Sequence, residues 1–282
     1  MKKTVPDLLE MKRNGKRVSM LTCYDYSTAR IIDGAGIDTI LVGDSLGMTM
    51  QGYANTLPVT MDEMVIYARS VVRGTEKTFV IADMPFMSYQ ASVEQAVLNA
   101  GRLIKETGAQ AVKLEGGAGV REHIRAIVGS GIPVCAHIGM TPQSCNIMGG
   151  FKVQGKDEIN AERIIGDAFA VQEAGAFMCV LECVPPKLAA LITGKVNMVT
   201  IGIGAGAGCD GQVLVYQDML QMSGDFKPKF SKHFANIGTA MGEAFTKYNM
   251  EVKSGTFPEE SHSFVKSDCS DKFYAAMNDK YR

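Results

Sequence analysis

A (β/α)8 barrel with a C-terminal helical tail is the fold the sequence predicts, and three observations carry it. The chain has 282 residues, a length that suits one α/β barrel or two smaller domains. Eight apolar, β-branched runs recur along it with helix-like segments between them, the alternation expected of βα units around a parallel sheet. The segments GAGID, TGAQA, GSGIP and EAGAF repeat a Gly-containing exit from helix into strand, which favours one closed domain over two.

The predicted strands are, in order, VSMLTCYD (18–25), IDTILVGD (37–44), FVIADMPF (79–86), AVKLEGG (111–117), PVCAHIG (133–139), FMCVLECV (177–184), NMVTIGIG (197–204) and QVLVYQD (212–218). Between them STARIIDGAG, MDEMVIYARSVVRGT, VEQAVLNAGRLIKETG, VREHIRAIVGSG, AERIIGDAFAVQEAG and PPKLAALITG place apolar residues at helical spacing. Two connections on the strand-end side are long, 47–59 after Asp44 and 140–160 after His137; both are rich in Gly, Asn and Pro, as functional covers often are. The barrel is expected to occupy the chain as a single domain, with a helical tail from about residue 225.

Composition narrows the function. Twenty-nine basic and 30 acidic residues leave a formal charge of −1, no footprint for nucleic acid or an anionic membrane surface. The N-terminus MKKTVPDLLEMKRNGKR lacks an apolar stretch before any cleavage site, and no segment approaches the roughly 18 apolar residues of a membrane span. A cytoplasmic protein handling small molecules is expected. Seven cysteines, an odd number scattered through apolar runs, read as reduced thiols.

Three acidic positions close apolar runs on separate strands: Asp44 in LVGDSLG, Asp83 in VIADMPF and Glu115 in AVKLEGG. In a closed parallel barrel the strand ends meet at one rim, so these carboxylates converge, and converging hard oxygens suit Mg²⁺ with places left for water and substrate. Asp44 with Ser45 and the loop amides suits a metal together with an anionic substrate group; the competing role is a helix or turn cap. Asp83, between Ile81, Ala82, Met84 and Pro85, needs a cation or hydrogen-bond donors if it is buried.

Strand alternation puts Lys113 and Glu115 on one face, where they either share a substrate pocket or form a structural ion pair. A Schiff-base role for Lys113 is open in principle, but three nearby carboxylates favour a charged lysine that holds substrate. His137 ends the fifth strand, whereas His123 lies in a helical pattern and His233 and His262 in the tail. His137 is either a donor to a developing oxyanion or a hydrogen-bonded core histidine. Glu182, beside Cys183 and Val184 at the end of the sixth strand, is placed for desolvation to raise its proton affinity and make it a general base. The glycines of IGIGAGAGCDGQ match no nucleotide-binding pattern and read as close backbone packing or a rim turn.

Taken together, LVGDSLGM, TLPVTMDEM, ADMPFMSY, VKLEGG, HIGMTPQS, GGFKVQGK, LECVP, TIGIGAGAGCDGQVLV and EVKSGTFP resemble the ketopantoate hydroxymethyltransferase family over nearly the whole chain. The resemblance implies a barrel of the phosphoenolpyruvate/pyruvate type and a homodecamer. It also implies transfer of a hydroxymethyl group from 5,10-methylenetetrahydrofolate to 3-methyl-2-oxobutanoate, giving 2-dehydropantoate in pantothenate biosynthesis. By the same resemblance Asp44 and Asp83 hold one Mg²⁺ per subunit, with Glu115 beside it directly or through water. Asp44, Ser45, Asp83 and Lys113 bind the 2-oxo acid, Glu182 is the proton acceptor, and His137 with the following TPQ belongs to the rim. Departures from the family pattern are peripheral: Met140 for the usual Leu, DMLQ for DMLG, and SHSF near the end.

Overall fold

The computed structural model describes residues 2–150, 152–223 and 228–282. Met1 at the head of the charged N-terminus, Phe151 in the second long connection, and residues 225–227, where the tail is expected to begin, lie outside the described residues. The chain divides into two compact units, Met1–Ala235 and Asn236–Arg282.

In the first unit eight parallel strands, among the described residues, close into a barrel in sequential order. They are β1 (Val18–Thr22), β2 (Thr39–Val42), β3 (Phe79–Asp83), β4 (Ala111–Glu115), β5 (Val134–Gly139), β6 (Met178–Glu182), β7 (Val199–Ile203) and β8 (Gly211–Leu214). The barrel is closed by β1, in which Met20 stands opposite both Thr39 and Val213. The eighth predicted run is half right: after Leu214 the YQD residues turn into a short helix, Tyr216–Met219, because the side chains of Tyr216, Gln217 and Asp218 are all taken inside.

The helices are α1 (Val5–Arg13), α2 (Tyr26–Gly34), α3 (Leu46–Thr49), α4 (Met61–Arg73), α5 (Val93–Thr107), α6 (Arg121–Gly129), α7 (Cys145–Met148), α8 (Glu158–Glu173), α9 (Pro186–Lys195), α10 (Tyr216–Met219), α11 (Ile237–Ser254) and α12 (Asp271–Lys280). The six predicted outer helices correspond to α2, α4, α5, α6, α8 and α9. Local chemistry sets their ends. Thr60 and Glu63 form a reciprocal capping box on α4, and Ser92 caps α5, which stops at Gly108 in the left-handed conformation. In the second unit α11 and α12 bury none of their own residues.

Alternation along each strand sorts the core into two layers. Ile40, Val42, Val80, Ala82, Val112 and Leu114 point outward against the helices, while Leu41, Phe79, Ile81, Cys135, Val180 and Ile201 point into the lumen. Leu8 of α1 is fully buried with the lumen set, beside Val18, Phe79 and Phe177, so the N-terminal mouth of the barrel is stoppered. The charged N-terminal segment is therefore helical and structural. No helix separates β7 from β8; residues 204–210 cross directly, and a Cβ on Gly211 would lie 2.2 Å from the Val18 carbonyl oxygen, so close packing accounts for the glycine there. All seven cysteines are free thiols. Among the described residues no helix is long and apolar enough to cross a membrane.

Candidate active site

The lumen is apolar through its lower layers and becomes polar at the C-terminal rim. Register produces this change: Asp83 pairs with Lys113, Glu115 with His137, and Gly139 with Glu182, and the side chains at these inward positions gather at one end. Asp44 joins them from two residues beyond β2, and Ser45 leads into α3. All seven residues singled out in the sequence line one cavity of about 950 Å³. Asp44, Asp83, Lys113, Glu115 and His137 are buried, and the Glu182 side chain is 13% exposed.

The contacts are short. Lys113 Nζ donates to Asp83 Oδ1 and Oδ2 at 2.8 and 2.7 Å and stands 3.6 Å from Glu115 Oε1. The Asp44 N–H donates to Asp83 Oδ2 at 3.2 Å. Ser45 Oγ shares a hydrogen bond of 2.8 Å with the buried Tyr24 hydroxyl. His137 lies between two carboxylates, Nδ1 at 3.4 Å from Glu115 and Nε2 at 3.2 Å from Glu182. Neither ring N–H is aligned on its oxygen, so these contacts are ion pairs more than directed hydrogen bonds.

Gln143, in the TPQ that follows His137, does more than occupy the rim. Its Nε2 donates to Asp44 Oδ2 at 2.9 Å and to the Met84 carbonyl at 3.0 Å, and its backbone N–H donates to Glu115 Oε2 at 2.9 Å. Its Oε1 accepts from the Tyr89 hydroxyl at 2.8 Å. Tyr24, Tyr89 and the reach of Gln143 to Asp44 are the site components that sequence reasoning missed. The only available signal was the position of Gln143 in the loop after His137; nothing local marks the two tyrosines.

Electrostatics follow from crowding these charges out of water. Burial alone would lower Lys113, but Asp83, Glu115 and Asp44 outweigh it and hold the ammonium well above its ordinary range. Burial, reinforced by the Asp83 charge, drives Asp44 far up despite Lys113 and Gln143. Burial would raise Glu115, yet Lys113, His137 and the Gln143 N–H keep it below the usual value. Burial would lower His137, but Glu115 and Glu182 push it up to about 9.

The donor set suits a hard divalent cation. Three buried carboxylates face one ammonium, Asp44 is short of positive charge, and Glu115 Oε1 is buried without a hydrogen-bond partner. Among the described residues no three His, Cys, Asp or Glu side chains form a complete ligand set by themselves. With Lys113 standing between Asp83 and Glu115, the side chains suit an ion whose coordination is completed by water or substrate oxygens, as Mg²⁺ prefers.

Glu182 is fixed from behind. Its carbonyl accepts from the Met140 N–H at 2.9 Å, and the next residue, Cys183, has φ 48°, a left-handed conformation uncommon for a residue with a side chain. Gly139 has φ 92°, and a Cβ there would lie 2.4 Å from the Glu182 carbonyl oxygen. Only glycine lets β5 approach β6 this closely.

A parallel barrel with paired acids, a charged lysine and a histidine at its C-terminal rim defines a (β/α)8-barrel enzyme equipped for acid–base chemistry on a small polar substrate. Residues 2–260 match the family model described as ketopantoate hydroxymethyltransferase, and the chain belongs to that family. The 3-methyl-2-oxobutanoate hydroxymethyltransferase of Clostridium novyi (strain NT) is 60% identical over 275 residues, which cover 97% of this chain and 100% of that protein. The protein of the same name from Enterococcus faecalis is 59% identical over an equal span, again 97% of this chain and 100% of its own. Solved structures with the same fold include phosphonopyruvate hydrolase in complex with oxalate and Mg²⁺ (TM-score 0.60, 12% identity, 99% of this chain and 96% of that one). Another is 2,3-dimethylmalate lyase of the PEP mutase/isocitrate lyase superfamily (TM-score 0.59, 16% identity, 99% of both chains). At these identities the structural likeness concerns the fold alone.

Proposed function

We propose that the chain transfers a hydroxymethyl group from 5,10-methylenetetrahydrofolate to 3-methyl-2-oxobutanoate, consuming water and giving 2-dehydropantoate and tetrahydrofolate, a step of pantothenate biosynthesis. The observation that carries this reading is the charged Lys113, held among Asp44, Asp83 and Glu115, in the same cavity as the Glu182 carboxylate. An anionic 2-oxo acid fits the ammonium, and a carboxylate beside it suits removal of a proton from the carbon next to the keto group.

Asp44 and Asp83, with Glu115 directly or through water, would hold one Mg²⁺, which supplies Lewis acidity toward the oxygens of the keto acid. Lys113 and Ser45 bind the substrate carboxylate and orient the keto group. Glu182 takes the C3 proton, and the C–H electron pair becomes the nucleophile. His137, charged by its two carboxylate neighbours, keeps Glu182 turned toward the substrate and offers positive charge near the developing oxyanion. The bridging methylene carbon exchanges its two C–N bonds for one C–C bond to C3 of the keto acid and one C–O bond to water. Both C–N electron pairs stay on the folate nitrogens N5 and N10, which take up the C3 proton released by Glu182 and one proton from the water.

A homodecameric, cytoplasmic enzyme belongs to the same proposal. Exposed Ile31, Ile66 and Leu98, on α2, α4 and α5, support burial against further subunits. The test is formation of 2-dehydropantoate from the two substrates with purified chain, with and without EDTA and added Mg²⁺. Phosphonopyruvate and 2,3-dimethylmalate serve as alternative substrates. Turnover of either in place of the keto acid would overturn the proposal.

A further inference from the structure

A second polar group lines the cavity and has no part in the chemistry above. Gln217 and Asp218 lie in α10, directly after β8, and are 5% and 9% exposed. Both face the cavity that holds Asp44 and Lys113. Gln217 donates its amide N–H to Met50 Sδ at 3.3 Å, and its Oε1 is buried without a partner. Among the described residues Asp218 accepts one hydrogen bond, from Ser223 Oγ to Oδ1 at 2.9 Å, and nothing donates to Oδ2. Burial accordingly pushes its carboxyl above the ordinary range, against weaker opposition from Ser223 and His233. The buried Gln217 Oε1 thus lacks a donor, which is costly unless a ligand supplies one, and Asp218 Oδ2 beside it in the chain is an acceptor that no described residue engages.

The shape of the cavity says what kind of ligand that is. At about 950 Å³ it stands near the upper end of the roughly 300–1,000 Å³ usual for ligand pockets, far more than a small keto acid fills. Met222 and Phe230 add apolar surface to the lining of the same cavity. The region is tied to the keto-acid end by two links. Met50, which Gln217 contacts, ends the short helix begun at Ser45. Tyr216 packs against Tyr24 with ring centroids 5.8 Å apart, and Tyr24 hydrogen-bonds Ser45.

We propose that Asp218 and Gln217 form the subsite for the aminopyrimidinone edge of the reduced folate, with Met222 and Phe230 against its ring faces. This rests on the hydroxymethyl-transfer reading above. The adjacent 2-amino and N3–H groups of that ring are donors side by side, matching Asp218 Oδ2 and Gln217 Oε1, and the flat ring suits apolar walls. The proposal separates the two substrates spatially: the keto acid at the buried carboxylates, the folate ring along α10.

The test is equilibrium binding of tetrahydrofolate and, separately, of 3-methyl-2-oxobutanoate with Mg²⁺ to the full chain. Asp218→Asn and Gln217→Leu are each expected to weaken tetrahydrofolate by about tenfold or more, the usual loss when a hydrogen bond to a buried or charged partner is removed. Keto-acid affinity is expected to stay within about twofold, since neither side chain hydrogen-bonds Asp44, Ser45, Asp83 or Lys113. A 2-desamino-2-methyl analogue of tetrahydrofolate gives a readout that does not depend on variant folding. It should bind the unaltered chain about tenfold more weakly than tetrahydrofolate, and Asp218→Asn should cost it little more. Equal affinity of the unaltered chain for both folates, or equal losses of both in Asp218→Asn, overturns the subsite while hydroxymethyl transfer stands. Absence of both tetrahydrofolate binding and product formation in the unaltered chain overturns the parent reading and the subsite with it.

Discussion

Nε2 of His137 stands 3.2 Å from the Glu182 carboxylate, while Nδ1 of the same ring lies 3.4 Å from Glu115. One imidazole thus joins the proposed base to the acid expected beside the metal. Glu182→Gln keeps the size of the side chain and removes its basicity. Exchange of the substrate C3 proton, followed by NMR in deuterated water, should fall by about 10²–10⁴-fold, the usual share of general base catalysis. Keto-acid affinity should change little, because Lys113 and Ser45 remain. Undiminished exchange in this variant would remove Glu182 from the role.

The same ring makes metal-free stability depend on pH. His137 is raised from about 6.5 when unfolded to about 9 when folded, so the folded state binds its proton more tightly. The resulting stabilisation is fully present below about pH 6.5 and is lost as pH rises through about 9. At about 1.4 kcal/mol per pKa unit it is on the order of 3 kcal/mol. Urea denaturation at pH 6.5 and 9.5 should show a drop in the unaltered chain that His137→Gln largely lacks. Equal drops in both would mean that the imidazole is not held charged.

Lys113 is expected to escape covalent trapping. An ammonium bound at 2.7 and 2.8 Å to Asp83 and held charged by three carboxylates is a poor nucleophile toward a keto group. Borohydride added with the keto acid should leave the intact mass of the chain unchanged. A substrate-sized adduct on Lys113 would favour a Schiff-base aldolase. Lys113→Met, by contrast, leaves Asp83 buried and unpaired, and should cost about 3–5 kcal/mol in metal-free stability, read by chemical denaturation.

Gly139→Ala places a methyl 2.4 Å from the Glu182 carbonyl oxygen and 2.7 Å from the Val184 side chain, at φ 92°. Overpacking and positive φ act together. A loss of about 2 kcal/mol or more is expected in denaturant titration, accompanied by slower C3 exchange because the displaced strand carries Glu182. Stability and exchange both unchanged would show that β5 yields freely there.

What was legible in the sequence was whatever a single strand encodes. The period of two placed Lys113 and Glu115 on one face, and the apolar residues around Asp83 announced a buried charge. Contacts across distant segments were not legible. Gln143 reaches Asp44 across 99 positions, and Tyr89 reaches Gln143 across 54, with no local pattern to mark either. The helix α1 was hidden by its charges, although Thr4 and Asp7 form a capping box around Pro6 that could have revealed it. The YQD segment follows directly on the β-prone Val213, Leu214 and Val215, which made it read as their continuation; only Tyr216 favours a strand, and the three residues turn into a short helix with their side chains buried.

Leu8 seals the lower end of the lumen, and this has a kinetic consequence. A socket with a single mouth imposes a queue on a two-substrate reaction: the small acid, seated deepest, must arrive before the bulkier carrier and can depart only after it. Tetrahydrofolate that enters the empty socket first should therefore shut the acid out, an inhibition that relaxes as the keto acid accumulates.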